Sequence, residues 1–426
     1  MLTLGALSAA LRHEAIIHAD GTHSTTAPIA MHALAYDPAS APSYEPPPPA
    51  LTLKQVIVVM RHGDRTPIAH RAGRLQCDPA FWTTRLPESR EVADWDVAHP
   101  VAGPATPIDR DAPFGMLTTR GASQARAYGA ELRARYGRHA PHLLTNVSAR
   151  ATNIRRTQQT AQNVLLGLGA QGVAVEVREW EMENMVPKPT SCSRLRQLLA
   201  APPGAPSAQD LVFLREVSDE LDYPNGEFNM DQAREVLICV VAHSDALEAQ
   251  SLPGRLSAKK VLHLAHVNGR AWSRMYTAPG VPRLAIGSLV SEIHSRLTRA
   301  VESGDISTLH LLSGHDSTLV PLLSALKIYD SHWPRYAAHL EIELATDDLG
   351  QHYARLLYDG KVYLPIEPSA EGSVFIEWER FRDLALQPSS ITPQAFSREC
   401  AADEDGSARP SAGEDSLQAT LTGKAG

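Results

Sequence analysis

A string of basic residues follows the first strongly apolar segment of the chain. It reads Arg61-His62-Gly63-Asp64-Arg65-Thr66-Pro67. Two arginines four positions apart offer planar forks of N–H donors that suit the oxygens of a phosphate group. A histidine among such cations is held neutral, and a neutral imidazole is a nucleophile. The string therefore predicts attack by His62 on a bound phosphoryl group; the alternative is a solvated surface loop in which His62 only packs.

Two further strings carry groups that phosphoryl chemistry needs. They are Ser313-Gly314-His315-Asp316 and Arg150-Ala151-Thr152. Taken alone, the first is more typical of a helix N-cap, because Asp or Ser after a strand often caps a helix. Each string nevertheless follows a predicted strand, so all three loops are expected at the carboxyl edge of one sheet, where open α/β proteins place ligands. Three such loops offering Arg, His and Asp favour a single site.

The elements that would position these loops follow from the apolar pattern. Segment 55–60 is short and almost wholly apolar, which is typical of a strand buried on both faces of a parallel sheet. Further strands are predicted at 143–149, 174–179, 308–312, 339–345 and 353–358. Helices are predicted at 118–136, 152–168 and 317–326. This alternation predicts an α/β fold with one discontinuous, mostly parallel sheet.

The same pattern divides the chain into four parts. Residues 1–50 form a leader and a linker, whose four consecutive prolines favour an extended conformation. The α/β pattern occupies 51–179 and 306–400, and the more helical stretch 180–305 suits a cap inserted into that core. Residues 401–426 are small, polar and acidic, so we expect a disordered tail.

Composition and charge narrow the classes of function. The 426 residues are 43% hydrophobic and 21% charged, as in ordinary globular proteins. The formal net charge of −8 lacks the basic excess that nonspecific binding of nucleic acid uses. No apolar run reaches about 18 residues, so a membrane-spanning helix is not expected. The motifs of P-loop ATPases and serine hydrolases do not occur in the sequence.

Two motif matches fail on their context. Residues 167–172 fit Gly-x-Gly-x-x-Gly, but they end a helix and enter a strand, the reverse of the order in dinucleotide sites. His13, Glu14 and His18 resemble a zinc-protease signature, yet the second histidine is one residue too far along to share the helix face. We therefore expect neither a nicotinamide nucleotide nor zinc.

Several features bear on the cellular compartment without deciding it. Residues 2–11 resemble a short signal-peptide core but lack a preceding basic residue, so a secretory or lysosomal location is not favoured over an intracellular one. Asn146 begins a glycosylation sequon, which we interpret as unused because it lies beside predicted site residues. The sequence allows either two disulfides or four free thiols among its four cysteines, which are Cys77, Cys192, Cys239 and Cys400.

Together the three loops resemble the histidine acid phosphatases, the branch of the histidine phosphatase superfamily that includes prostatic and lysosomal acid phosphatases, lysophosphatidic acid phosphatase and phytases. The resemblance covers about residues 51–400, and implies a phosphoglycerate-mutase-like α/β/α core of three layers with a helical cap. It includes Leu117-Thr118-Thr119-Arg120-Gly121, Gln124, Arg156-Thr157, residues 313–326, Trp333-Pro334 and Tyr336-Ala337. This sequence departs from the family in having Ala151 where serine is usual.

The resemblance also implies a phosphohistidine mechanism. His62 attacks phosphorus, Asp316 protonates the leaving oxygen, and the transferred group is surrounded by Arg61, Arg65, Arg150 and His315. Phosphoryl transfer needs cations on the equatorial oxygens, an in-line nucleophile and an acid on the leaving side, and these residue types supply all three. Because four cationic or donor side chains offset the charge that Mg²⁺ supplies elsewhere, no metal or other cofactor is expected.

The expected partner is a small phosphomonoester, hydrolysed at acid pH, and the oligomeric state is left open. A phytase or a lysophosphatidic acid phosphatase would share the same chemistry and differ in the cap. The stretch 180–305 lacks a dense cluster of Lys and Arg, which favours a monophosphate over a polyphosphorylated ring. A binding module without activity would need neither His62 nor Asp316. Mutase activity is disfavoured because the resemblance is to the hydrolytic branch.

Overall fold

The structure is a computed structural model, and it describes most of the chain. The described residues are 42–104, 113–200, 204, 206–223, 227–245, 251–303, 308–363 and 374–401. The predicted signal-like segment, residues 13–18 and the tail predicted after residue 401 lie outside these ranges. Among the helices of the described ranges, none is both long enough and apolar enough to cross a membrane.

A sheet of nine strands lies at the centre of the fold. The strands of the described chain are β1 Thr52–Arg61, β2 Arg71–Ala72, β3 Leu75–Gln76, β4 Val101–Ala102, β5 Val147–Ala151, β6 Val175–Val177, β7 Thr308–Gly314, β8 His339–Thr346, β9 His352–Tyr358, β10 Lys361–Tyr363 and β11 Ile376–Glu377. The central sheet has the order β10-β9-β8-β1-β7-β5-β6-β4, with β11 paired to β9, and β2 pairs with β3 separately.

The register of the sheet brings the three predicted loops together. Strands β1, β7, β5, β6 and β4 run parallel to one another. Strand β8, on the other side of β1, runs antiparallel to it. Arg61 pairs with Gly314 across β1 and β7, and Ala151 pairs with Ser313 across β5 and β7. All three strands therefore end at the same edge, where parallel sheets place ligands.

Twelve helices surround the sheet and build the cap within the described ranges. They are α1 Pro79–Thr83, α2 Ser89–Ala98, α3 Thr119–His139, α4 Arg155–Leu168, α5 Ser193–Ala200, α6 Ala208–Glu220, α7 Met230–Ala242, α8 Ala258–Tyr276, α9 Val281–Ser303, α10 Asp316–Ala325, α11 Trp378–Phe381 and α12 Pro393–Ala401. The Thr118 hydroxyl accepts from the Gly121 amide and caps α3. Gly169, with φ of 77°, ends α4 as predicted.

Two helical layers cover the two faces of β1. Val56, Val58 and Met60 pack in one apolar cluster with α3 and α4. Ile57 and Val59, which point the other way, pack with α9 and α10. The chain thus has the predicted three-layer α/β/α core around a mostly parallel sheet.

The cap differs in its boundaries from the predicted stretch 180–305. Its apolar core joins helices α6, α7 and α8 with the β2–β3 hairpin and with Phe81 and Trp82 of α1. Helix α9 contributes Ile286, Leu289 and Ile293 to the core beneath the sheet instead. The apolar face of a helix can be recognised in sequence, but the surface that it meets cannot, and the boundaries shift for that reason.

The segment before β1 is packed, although a linker without a core was predicted up to residue 50. Tyr44 donates a hydrogen bond of 2.9 Å to the Glu343 carboxylate, and Arg355 donates to the Glu45 carbonyl at 2.8 Å. The Arg355 guanidinium also lies over the Tyr44 ring. The buried Glu343 carboxylate and the Arg355 guanidinium of the sheet thus bind the Tyr44 side chain and the Glu45 carbonyl, immediately before the four prolines.

The cysteines divide between the two possibilities that the sequence leaves open. Cys192 and Cys400 form a disulfide that joins the start of α5 to α12, whereas Cys77 and Cys239 are buried free thiols. At the sequon, the Asn146 side-chain amide donates to the Thr308 hydroxyl at 2.9 Å. The interpretation of the sequon as unused stays a prediction.

Candidate active site

Two glycines let the loop after β1 contact the start of α3 through backbone atoms. A Cβ atom on Gly63 would lie 2.4 Å from the Gly121 carbonyl oxygen, and one on Gly121 would lie 2.1 Å from the Asp64 carbonyl oxygen. Both distances are too short for any side chain, so both positions require glycine. The Asp64 amide also donates to the Gln124 side chain at 2.8 Å. These contacts fix the loop on the helix.

Asp64 anchors the same loop from inside the protein. Its Oδ2 accepts from the Thr118 hydroxyl at 2.5 Å and from the His243 Nε2–H at 2.7 Å. Burial raises the pKa of Asp64, but His243 and the hydrogen bonds from His243 and Thr118 lower it below its ordinary value. An ionised Asp64 thus ties the loop to the end of α7 in the cap.

The His62 ring is held in one tautomer. Its Nδ1 lies 2.8 Å from the Gly63 carbonyl oxygen. Because a carbonyl oxygen only accepts, Nδ1 carries the proton and Nε2 keeps a free lone pair. Burial lowers the pKa of His62 well below its ordinary value, and the guanidinium groups of Arg156, Arg61 and Arg65 lower it further. The lowered pKa favours a neutral ring, and its free Nε2 lone pair could attack an electrophile.

Arg61 and Arg65 are fixed by partners on opposite sides of the loop. Arg61 Nη1 donates to the Pro334 carbonyl at 2.6 Å, and Nη2 lies 3.0 Å from Asp316 Oδ2. Arg65 Nη1 donates to Glu235 Oε1 at 2.5 Å. Both guanidinium groups are buried, which removes the solvent that would screen them from a bound anion.

The structure does not bring the predicted phosphate ligand Arg150 to this cluster. Its guanidinium donates to Glu183 at 3.1 Å, to Asn184 at 2.9 Å and to Glu292 of α9 at 3.2 Å. Successive side chains of a strand point to opposite faces of the sheet, and Ala151 takes the next position of β5. Arg150 therefore anchors the α9 layer, and the prediction is corrected on this point.

Arg156 lies beside His62 and His315, although the sequence pattern assigns it no role. It lies in the first turn of α4, with Nη2 3.5 Å from His315 Nδ1. Burial and the guanidinium groups of Arg65 and Arg61 lower the pKa of Arg156 to about 9, so it stays charged at neutral and acid pH. The feature of the sequence that points to Arg156 is the Arg156-Thr157 pair. It is part of the family resemblance, which by itself assigns the pair no role.

His315 begins α10 and is oriented by hydroxyl groups of the loop after β5. Its Nε2 lies 2.9 Å from the Thr152 hydroxyl, which lies 2.8 Å from the Thr157 hydroxyl. The ring centroids of His315 and His62 are 5.5 Å apart. Burial, followed by the charge of Arg156, lowers the pKa of His315 well below its ordinary value. It is a neutral imidazole beside the nucleophile.

Asp316 lies on the other side of Arg61. Its Oδ2 accepts from Trp333 Nε1 at 3.3 Å, and its Oδ1 accepts from the Ser317 amide at 2.9 Å. Burial raises the pKa of this carboxyl, but Arg61, Arg234 and Arg65 together hold it well below its usual range. A phosphate anion bound to the same arginines would offset their charge and raise the pKa of Asp316, which allows it to hold a proton.

A cavity of about 210 Å³ opens beside Arg61 and Trp333. Its other lining residues are Ile238, Leu262, Ala265, His266, His332, Pro334 and Arg335. The first three come from α7 and α8 of the cap and form an apolar wall. Since Trp333 also donates to Asp316, the cavity is on the side where a leaving group would depart.

Comparisons with known proteins show what the chain is similar to. Residues 52–197 match the family model of the histidine phosphatase superfamily, branch 2. Lysophosphatidic acid phosphatase type 6 of Pongo abelii is 28% identical over 347 residues, which cover 74% of this chain and 79% of that protein. Lysosomal acid phosphatase of Pongo abelii is 24% identical, with coverage of 74% and 72%. The solved phytase of D. castellii has the same fold, with a TM-score of 0.58 at 14% identity and coverage of 88% and 87%.

Proposed function

This chain belongs to branch 2 of the histidine phosphatase superfamily and is a phosphomonoester hydrolase, and we propose on that premise that His62 carries the phosphoryl group during turnover. One observation carries the proposal: the hydrogen bond from His62 Nδ1 to the Gly63 carbonyl leaves Nε2 unprotonated among three buried guanidinium groups. A nucleophile fixed in this way needs no base to remove a proton before it attacks.

In the first step His62 Nε2 forms a bond to phosphorus while the bond to the ester oxygen breaks. The electron pair of that bond leaves with the oxygen, which takes a proton from Asp316. Arg61, Arg65 and Arg156 bind the equatorial oxygens and offset the negative charge of the transition state. In the second step water attacks phosphorus, the ionised Asp316 accepts its proton, and His62 is released in its original tautomer.

The proton for Asp316 is available at acid pH. The second pKa of a phosphate monoester is near 6, so near pH 5 the substrate enters mainly as a monoanion with one proton. Asp316 is ionised before substrate binds, because Arg61 and Arg234 hold its pKa low. The complex can therefore place the substrate's own proton on Asp316 while the dianionic phosphoryl group faces the arginines. This proton transfer predicts an acidic optimum.

The positive charge of the site comes from its own side chains. The guanidinium groups of Arg61, Arg65 and Arg156 are buried, and each is close enough to His62 to lower its pKa. Mg²⁺ in other phosphoryl transfer enzymes supplies charge at the same oxygens. The proposed reaction therefore needs no metal or other cofactor.

Lysophosphatidic acid is a second candidate substrate. The apolar wall of Ile238, Leu262 and Ala265 lies on the leaving-group side, where an acyl chain could pack. The relative from Pongo abelii is named for this substrate and matches 74% of the chain. A phytase activity is disfavoured because Ile238, Leu262 and Ala265 give this side of the cavity an apolar wall, which suits an acyl chain better than a polyphosphorylated ring.

Phosphate release from p-nitrophenyl phosphate near pH 5 tests the proposal. We expect wild type to turn over and His62→Ala to show no turnover above background. Lysophosphatidic acid and phytate, assayed in parallel with the same two proteins, identify what the cavity admits. If the His62→Ala protein releases phosphate from any of these substrates at the wild-type rate, the proposal is wrong.

A further inference from the structure

Helix α7 carries two adjacent buried charges that differ in their partners. Glu235 accepts from the Arg65 guanidinium and from the Ile68 and Ala69 amides. Arg234, by contrast, lies with its guanidinium 3.6 Å from the centroid of the Trp333 ring. Among the residues that the structure describes, none accepts a hydrogen bond from Arg234, and its Nε is buried without a partner.

The two carboxylates that most strongly raise the pKa of Arg234, Asp316 and Asp231, are already occupied by other donors. Asp316 Oδ2 accepts from Arg61 and Trp333. Asp231 Oδ1 accepts from Asn268 and Trp272, each at 3.0 Å. Burial lowers the pKa of Arg234, and these two carboxylates only partly oppose that shift. Arg234 is therefore a buried cation with unused donors, an arrangement that is costly unless an anion completes it.

The position of Arg234 points to the leaving group as the source of that anion. Arg156 faces His315 and the nucleophile, whereas Arg234 stacks on Trp333, which donates to Asp316 and lines the cavity. The transferred phosphoryl group must lie next to His62, and its departing oxygen must lie next to Asp316. An acceptor a few atoms beyond that oxygen would therefore lie near Arg234.

We propose that Arg234 is a specificity-determining residue that binds an oxygen of the leaving group, and that the site prefers phosphomonoesters whose alcohol carries a carboxylate close to the ester oxygen. The proposal rests on the phosphatase activity argued above and adds to it the chemistry of the leaving group. A guanidinium stacked on an indole presents its planar edge, which suits a carboxylate through two parallel hydrogen bonds.

A matched pair of substrates tests the assignment. In 2-phosphoglycolate and isobutyl phosphate the leaving groups have the same number and connectivity of non-hydrogen atoms, and only the first bears a carboxylate. We expect wild type to have the higher kcat/KM for 2-phosphoglycolate. Arg234→Met should lower the ratio of the two kcat/KM values by about tenfold or more, which is the effect of losing one hydrogen bond to a charged group.

The pH profile supplies a second readout that a purely structural role would not move. Arg234 helps to hold the pKa of Asp316 low. Removing this cation raises that pKa, so Asp316 stays protonated to higher pH. The pH above which kcat falls should therefore be higher in Arg234→Met than in wild type. Arg234→Lys, which keeps the charge but lacks the planar fork, should leave that pH unchanged and still lose part of the preference for 2-phosphoglycolate.

Controls separate failure of this inference from failure of the proposed function. Arg270 of α8 pairs with Asp210 and does not line the cavity, and Arg270→Met should change neither the ratio nor the pH profile. If Arg234→Met does not fold, the lysine variant carries the test. If wild type hydrolyses neither substrate nor p-nitrophenyl phosphate, the proposed function fails. If wild type is active but Arg234→Met and Arg234→Lys lose equally on both substrates, or lose nothing, Arg234 does not bind the leaving group.

Discussion

His62 donates a hydrogen bond of 2.8 Å from Nδ1 to the carbonyl oxygen of Gly63, the next residue in the chain. This local contact decides which ring nitrogen attacks, because the carbonyl can be satisfied only by a protonated Nδ1. Gly63 can be nothing larger, since a Cβ there would collide with Gly121 of α3. The glycine in the sequence string thus serves the packing of the loop, and the backbone that it leaves in place sets the tautomer of the nucleophile.

The first prediction concerns the pH at which activity is lost on acidification. Burial and three arginines hold the pKa of His62 well below its ordinary value. Protonation of the nucleophile should therefore not limit kcat/KM at pH 5, where an exposed histidine would be mostly charged. A pH profile of kcat/KM on p-nitrophenyl phosphate tests this. An activity that falls below pH 6.5 with the slope of one proton, while the protein stays folded, would contradict it.

Arg156 and Arg150 form a matched pair for a second prediction. Arg156→Gln removes a cation that faces the phosphoryl group, and should lower kcat by about a hundredfold or more, as the loss of one such donor does elsewhere. Arg150→Gln removes the positive charge that pairs with the carboxylates of Glu183 and Glu292. It should lower the free energy of unfolding by about 3 kcal/mol and leave kcat of the folded protein nearly intact.

Thermal unfolding and steady-state kinetics on both variants decide between these two roles. Comparable losses of kcat would return Arg150 to the phosphate-binding set. Full activity of Arg156→Gln would remove Arg156 from it.

Asp316 provides a third prediction through the basicity of the leaving group. An alkoxide needs a proton to depart, whereas p-nitrophenolate is stable without one. Asp316→Ala should therefore slow hydrolysis of an alkyl phosphate much more than that of p-nitrophenyl phosphate. Assays of both substrates with wild type and variant give the ratio directly. Equal loss on the two substrates would rule out proton donation by Asp316.

The fourth prediction concerns metal. Three buried guanidinium groups offset the charge of the phosphoryl group in the proposed mechanism. Activity on p-nitrophenyl phosphate should therefore be unchanged after dialysis against EDTA. The outcome that contradicts this is a loss of activity that Mg²⁺ or Zn²⁺ restores.

The sequence predicts the meeting of three loops better than it predicts individual side chains. A buried strand followed by a polar string can be recognised in the sequence alone. Parallel strands bring such strings to one edge of the sheet, as at Arg61 and Gly314. The exchange of Arg150 for Arg156 was not visible, because it depends on where β5 ends and α4 begins. Arg150 still occupies the strand, so its side chain follows the alternation of the sheet. The first turn of α4 directs Arg156 to the site.

Other differences have the same physical origin. The strand predicted over 143–149 begins only at Val147, because a short 3₁₀ helix over Pro141–Thr145 precedes it. Tyr44 belongs to a segment whose composition favours a linker, yet it packs because Glu343 and Arg355 offer it buried partners. In both cases the local structure depends on residues outside the short sequence segment from which it was predicted.

Detection of a phosphoryl group on His62 tests the central claim most directly. Wild type is mixed with excess p-nitrophenyl phosphate, quenched in alkali within its turnover time, digested and analysed by mass spectrometry. We predict one added phosphoryl group on the peptide that contains His62, absent from His62→Ala and lost when the quenched peptide is acidified. Phosphate release by wild type without any such adduct, together with turnover by His62→Ala, would contradict the account.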